Sequence, residues 1–186
     1  MSSLTIRPAV AADVDAICAL VNGFAEQNLM LPRNPTQVSS SLERFLVADE
    51  EGRVVGCGSL IDLTPTLAEV RSLAVHADMH GRGVGGMVVG ALLDMARQLQ
   101  VDQVCALTLR PNFFQRQGFL IVDRWNLTSK VWHECIYCPK FHRCDEVAML
   151  MNLTDPAAAF NPPPWWRVLA DRAPQPVLRW LAPRRQ

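Results

Sequence analysis

Glu69-Val70-Arg71-Ser72-Leu73-Ala74-Val75-His76, followed three residues later by His80-Gly81-Arg82-Gly83-Val84-Gly85-Gly86, decides the fold. The first half lies in an aliphatic run, residues 67–75, that reads as a strand, yet it carries Glu69 and Arg71, an unusual polar pair for a buried strand. Alternation puts both on one face unless a bulge intervenes. The second half is a glycine-rich turn opening a helix whose apolar stripe is Val84, Val88, Leu92, Met95 and Leu99, ending near Gln100. Four glycines in six residues would weaken a purely structural turn. Free N–H groups and the positive end of a helix dipole favour an anion there, and missing side chains let a pyrophosphate approach closely. Glycines at 81, 83 and 86 also match a dinucleotide-binding G-x-G-x-x-G. That alternative is disfavoured, because four residues separate the strand from Gly81, a hairpin precedes it, and Leu109 is followed by Arg110 rather than an acid.

Outward from this stretch, strands and helices alternate. Residues 4–7 read as a strand, and Asp13 sits at the N-cap position of a helix with Val14, Ile17, Val21 and Phe24 on its apolar side. Thr36 is the expected cap of a second helix facing Val38, Leu42 and Phe45. Residues 45–48 and 54–63 flank Glu50-Glu51-Gly52-Arg53 as a hairpin. A fifth strand over 104–109, a short helix opening at Pro111, a strand at 120–122 and a last strand over 147–153 complete the order. Residues 131–144 read as a cysteine-rich loop.

The 186 residues are 49% apolar and 19% charged, with 18 basic and 18 acidic side chains, which suits one domain with a modest appendage. The balanced charge argues against nucleic-acid binding. The best apolar run, residues 87–93, is interrupted by Gly90 and ended by Asp94, too short to span a bilayer. The N-terminus lacks the apolar stretch of a signal peptide, so the expectation is a soluble, cytoplasmic protein with reduced thiols.

On the loop and its strand the chain resembles the GCN5-related N-acetyltransferases. Their acyl-CoA loop, Arg or Gln, two residues, Gly, one residue, Gly or Ala, is matched by residues 80–85 except that His80 replaces the first residue. The resemblance covers residues 4–153. It implies an α/β fold with a mixed central sheet flanked by helices, and acetyl-CoA as co-substrate. It places the pantetheine arm along Leu73, Ala74 and Val75, and the pyrophosphate on the N–H groups of Gly81, Arg82, Gly83, Val84, Gly85 and Gly86, with His80 beside them. Acetyl transfer to an amine needs a base to remove the ammonium proton, and Glu69 is the one carboxylate within the central strand. Many members carry a tyrosine as acid four residues before Gly-Phe; here that position is Phe114, and the single tyrosine is Tyr137.

Finer features resemble short, single-domain bacterial N-acetylglutamate synthases: Leu31-Pro32-Arg33, residues 69–76, Leu107-Thr108-Leu109-Arg110, residues 113–119, Lys130-Val131-Trp132, Cys135-Ile136-Tyr137-Cys138 and Cys144-Asp145-Glu146. The resemblance implies acetylation of the α-amine of L-glutamate, the first step of arginine synthesis. Glutamate brings two carboxylates, for which the candidate anchors are Arg71 and Arg110, then Arg33, Lys130 and Arg143. Alternatives are another small amine as acceptor, a CoA-binding sensor without turnover, or a zinc-dependent interaction module. Cys135, Cys138 and Cys144, with His133 and His142 nearby, could supply a structural zinc site, but only one Cys-x2-Cys knuckle is present and packed reduced thiols are favoured. The acetyltransferase domain is drawn over 1–153. Residues 154–186 form an extension rich in Pro, Trp and Arg, expected to fold back over the domain or across a homodimer contact, with a membrane surface or a partner as the alternative.

Overall fold

β1 (Leu4–Pro8), β2 (Phe45–Glu50), β3 (Arg53–Thr64) and β4 (Leu67–Val75) form an antiparallel meander, β5 (Gln103–Thr108) joins β4 in parallel, and β7 (Val147–Asn152) inserts antiparallel between β5 and the short edge strand β6 (Leu120–Ile121). The computed structural model describes residues 3–138 and 140–154, so the extension drawn from 154 lies outside the described residues apart from Thr154. Among the described residues five α-helices accompany the sheet: α1 (Val14–Ala25), α2 (Pro35–Ser39), α3 (Val84–Gln98), α4 (Pro111–Arg116) and α5 (Thr128–His133). This is the expected mixed α/β architecture. Among the described residues no helix is long and apolar enough to cross a membrane.

The two-residue period of β2 sorts its side chains onto two cores. Phe45 and Val47 pack with Val14, Ile17 and Val21 of α1, whereas Leu46 and Ala48 pack with Val84, Val88 and Leu92 of α3. Each buried aliphatic side chain contributes about 1.5–3 kcal/mol on leaving water, so the two helical stripes hold the sheet between them. Gly58 sets the approach of α3: a Cβ there would lie 2.9 Å from Val88 Cγ1 and 3.0 Å from Leu92 Cδ1. Gly58→Ala is therefore expected to destabilise the domain by about 1–3 kcal/mol through overpacking. An unchanged melting temperature would mean that α3 shifts freely on β3.

Asp13 occupies the N-cap position of α1 as expected, but its side chain makes no capping bond; its carboxylate accepts from Val10 N–H at 2.8 Å and pairs with Arg7 at 2.7 Å. Two local expectations are corrected. The second helix is capped by Asn34, whose Oδ1 accepts from Gln37 N–H at 2.9 Å while Gln37 Oε1 accepts from Asn34 N–H at 3.0 Å. That capping box starts the helix before Thr36 and leaves Leu42 in a 3-10 turn and Phe45 in β2. Finally, residues 131–144 are not a plain loop, because α5 is followed by 3-10 turns at Cys135–Tyr137 and Phe141–Arg143.

Candidate active site

β4 and β5 share register only at Leu67↔Gln103, Ala68↔Val104 and Glu69↔Cys105, although β4 runs on to Val75 and β5 to Thr108. Beyond Glu69 the strands part, and backbone groups on that edge of β4 are left without a ladder partner from β5. On its other edge β4 carries a bulge: Cys57 faces Ala74 and Ser59 faces Arg71, so Gly58 opposes both Ser72 and Leu73. Ser72 takes φ +51°, a left-handed conformation that costs a non-glycine residue about 1–2 kcal/mol. The extra residue switches the phase of the strand. Before it, Ala68 and Val70 face the α3 core; after it, Leu73 and Val75 do, and Ala74 turns to the α1 core. Glu69 and Arg71 thus point away from α3, at the fork.

There they meet α5. Glu69 is only 3% exposed. Its Oε2 lies 2.8 Å from Lys130 Nζ and accepts from Arg71 Nε. Glu134 bridges the same two cations, Oε1 accepting from Arg71 and Oε2 from Lys130 at 2.7 Å. Burial pulls the Lys130 ammonium down, but the charge of Glu69 and the hydrogen bonds to Glu134 and Glu69 outweigh it, so Lys130 stands above its usual value. Arg71 is raised by the same balance of burial against the two carboxylates. Burial pushes Glu134 up, and the Lys130 and Arg71 hydrogen bonds bring it below the usual carboxylate range.

Arg33 approaches from the α1 side. The Asn22 side chain of α1 clamps its backbone, Oδ1 accepting from Arg33 N–H and Nδ2 donating to Arg33 C=O, both at 2.9 Å. Arg33 Nε reaches Ser72 Oγ at 3.3 Å, on the bulge. Burial and the neighbouring Arg71 charge lower its pKa, with partial relief from Glu134 and Glu69. Among the described residues it has no carboxylate within ion-pair distance, and a guanidinium stays protonated regardless. Arg33, Arg71 and Lys130 thus lie with Glu69 and Glu134, and the charge of Glu146 also reaches Glu69 and Lys130.

The glycine turn meets the open end of the fork. Gly81 and Gly83 take φ +78° and +79°, and a Cβ built on either would meet nothing within 4 Å. Gly83 is the N-cap of α3, and the first helical bond at this end is Met87 N–H to Gly83 C=O at 3.1 Å. The N–H groups of Val84, Gly85 and Gly86 precede that ladder. Gly85 and Gly86 have a packing reason as well: a Cβ would come within 3.4 Å of the Phe113 ring and 3.3 Å of Gln117 Nε2. An open cradle of donors at a helix N-terminus, next to an unpaired strand edge, fits a pyrophosphate with an extended arm. His80 turns back toward the strand, its Nε2 2.8 Å from Val75 C=O and its ring stacked on Phe24. Arg82 leans away, pairing with Glu50 at 2.9 Å.

Of the five candidate anchors, the structure brings Arg71, Lys130 and Arg33 together. It does not bring in Arg110 or Arg143, both exposed and without a side-chain hydrogen bond or ion pair among the described residues. Glu134 was not anticipated. Its i,i+4 spacing from Lys130 was the available signal. Phe114 is buried edge-on to Phe113 and Phe119, and Tyr137 is 78% exposed. All six cysteines are free; burial pushes Cys57 to about 12 and raises Cys105 and Cys135. Among the described residues no group of three or more His, Cys, Asp or Glu is placed to hold a metal.

Residues 41–120 match the model of the acetyltransferase (GNAT) domain. The chain is 35% identical to an uncharacterized N-acetyltransferase of Chlorobaculum tepidum over 80% of its own length and 96% of that protein. It is 37% identical to the amino-acid acetyltransferase of Mycobacterium tuberculosis, over 69% of this chain and 75% of that one. A Mycobacterium tuberculosis protein crystallised in complex with CoA superposes with a TM-score of 0.70 at 30% identity, covering 80% of this chain and 99% of that chain. With the fork, the cradle and these relatives in agreement, the chain belongs to the GNAT family of N-acetyltransferases and is an acyltransferase using acetyl-CoA.

Proposed function

We propose that the acceptor is L-glutamate and that the product is N-acetyl-L-glutamate, the first step of arginine synthesis. The observation that carries this reading is the unpaired, half-buried Arg33 beside the Glu69–Arg71–Lys130–Glu134 group: a cation without a carboxylate partner suits an acceptor that brings one. The relative named amino-acid acetyltransferase supports the same class of acceptor.

Acetyl-CoA supplies an acyl carbon activated as a thioester. The N–H groups at the start of α3 hold its phosphates, and the edge of β4 at Leu73–Val75, which β5 leaves unpaired, orients the arm along the fork. Glu69, at the apex, takes the proton that the α-ammonium must lose before its lone pair can attack, directly or through one water. A C–N bond then forms as the C–S bond breaks, the nitrogen gives its second proton to solvent as the amide forms, and the sulfur departs as a thiolate. With Phe114 in the core, solvent protonates that thiolate, which leaves readily near neutral pH. Arg33 holds one acceptor carboxylate, and Arg71 with Lys130 forms the second anion subsite.

Two cationic anchors favour an acceptor with two carboxylates, because only a second carboxylate can take the place of Glu134 on Arg71 and Lys130. Glutamate should exceed glutamine by at least about tenfold in kcat/KM, on the order of 1.4 kcal/mol. Arg33→Ala should raise the KM for glutamate by roughly tenfold and that for acetyl-CoA much less. A preference for polyamines or aminoglycosides in an acceptor screen following CoA release would end the glutamate reading and leave the acetyltransferase intact.

A further inference from the structure

The geometry points to Glu134 as an internal stand-in for the acceptor's second carboxylate, a gate that must leave Arg71 and Lys130 before a dicarboxylate can bind. This rests on the glutamate reading above and deepens it. Glu134 spends one oxygen on each cation, the arrangement in which a substrate carboxylate would bridge them. Its surroundings differ from those of its partners. The side chains of Glu69, Lys130 and Arg71 are 4%, 12% and 16% exposed, while Glu134 is 40% exposed and closes the group on its solvent side. Swinging out therefore returns Glu134 to water at little desolvation cost, whereas removing Glu69 from the same cations would leave a buried charge unpaired.

The backbone permits the exchange. Glu134 lies just past α5, with φ −134° and ψ −50°, between that helix and the 3-10 turn at Cys135–Tyr137. Its N–H donates to Lys130 C=O at 3.1 Å and its C=O accepts from Tyr137 N–H at 3.0 Å, so the main chain stays anchored while the side chain rotates. Arg33 explains why the gate selects between acceptors. With Glu134 in place Arg33 is the one cation of the group without a carboxylate, so one acceptor carboxylate can bind and a second finds Arg71 and Lys130 already satisfied. Glu134 thus competes with the second carboxylate and leaves the first untouched.

Glu134→Gln keeps the shape and removes the competing charge. The glutamate-to-glutamine ratio in kcat/KM should rise at least fivefold in this variant, through a lower KM for glutamate. Glutarate, a dicarboxylate with no amine to acetylate, should bind the CoA-saturated variant at least fivefold more tightly than the parent by calorimetry. Glu134→Asp, which keeps the charge, should not reproduce either gain. Weaker or unchanged glutarate binding to a folded Glu134→Gln protein overturns the gate and makes Glu134 a brace for Arg71 and Lys130, as does a parallel rise in KM for both acceptors. If the parent acetylates no dicarboxylic amino acid, the glutamate reading fails, and the glutarate titration still decides what Glu134 does.

Discussion

Gly83→Glu is expected to abolish acetyl-CoA binding, with a loss of at least about a hundredfold in affinity, or roughly 2.7 kcal/mol. Position 83 is the N-cap of α3 in the left-handed conformation, and the space its Cβ would enter is open. The new carboxylate enters the space beside the N–H groups proposed for the pyrophosphate and would repel a second anion there. Two effects are mixed in this variant, since any side chain at φ +79° is strained by about 1–2 kcal/mol. Gly83→Ala carries the strain without the charge and separates them. Alanine should lower the melting temperature while retaining measurable affinity, and glutamate should match its stability loss with no detectable binding. Equal affinities by calorimetry would remove the cradle from the argument.

Glu69→Gln is expected to lower kcat by roughly 10² or more at neutral pH, the usual worth of a general base. The loss should shrink at high pH, where the acceptor amine is deprotonated by solvent and needs no base. The structure adds a control that the strand alone did not suggest. Glu69 also holds Lys130 and Arg71, so the variant leaves both with Glu134 as their remaining carboxylate partner in the group, and breaking a buried pair from one side can cost about 3–5 kcal/mol of stability. A fall in kcat with a normal melting temperature and a pH-dependent recovery identifies a base. A pH-independent loss below tenfold, with a raised acceptor KM, would instead leave Glu69 as the residue that positions the two cations.

Much of the architecture is written in local periodicities. The two-residue alternation of β2, the 3.6-residue stripe of α3 and the turn chemistry at Gly52 depend on neighbours a few positions away, which is why strand and helix order was legible residue by residue. β4 was placed at its observed bounds, and Glu69 and Arg71 do share a face and a hydrogen bond. The glycine turn was legible for the same reason, because positive φ at Gly81 and Gly83 is a property of the residue type. Where local signals competed, the structure chose: Asn34 won the cap from Thr36 by closing a reciprocal pair with Gln37.

The acceptor side of the site depends on the tertiary structure. Arg71 and Glu134 are 63 positions apart, and Arg33 reaches Ser72 across 39. Their meeting requires that β5 part from β4 at Glu69, that a bulge at Ser72 re-aim the strand, and that Asn22 of α1 hold the Arg33 backbone. A sequence counts arginines but carries no distances, so Arg110 ranked ahead of Arg33 until the fold left Arg110 exposed and brought Arg33 to the site. By itself the sequence determined most of the strand–helix order, the glycine turn that opens α3 and the carboxylate on the central strand, because each is set by the period and conformational range of adjacent residues. Which charges neutralise one another was decided only by tertiary packing, since an ion pair is fixed by separation in space and by how much water the surrounding chain excludes.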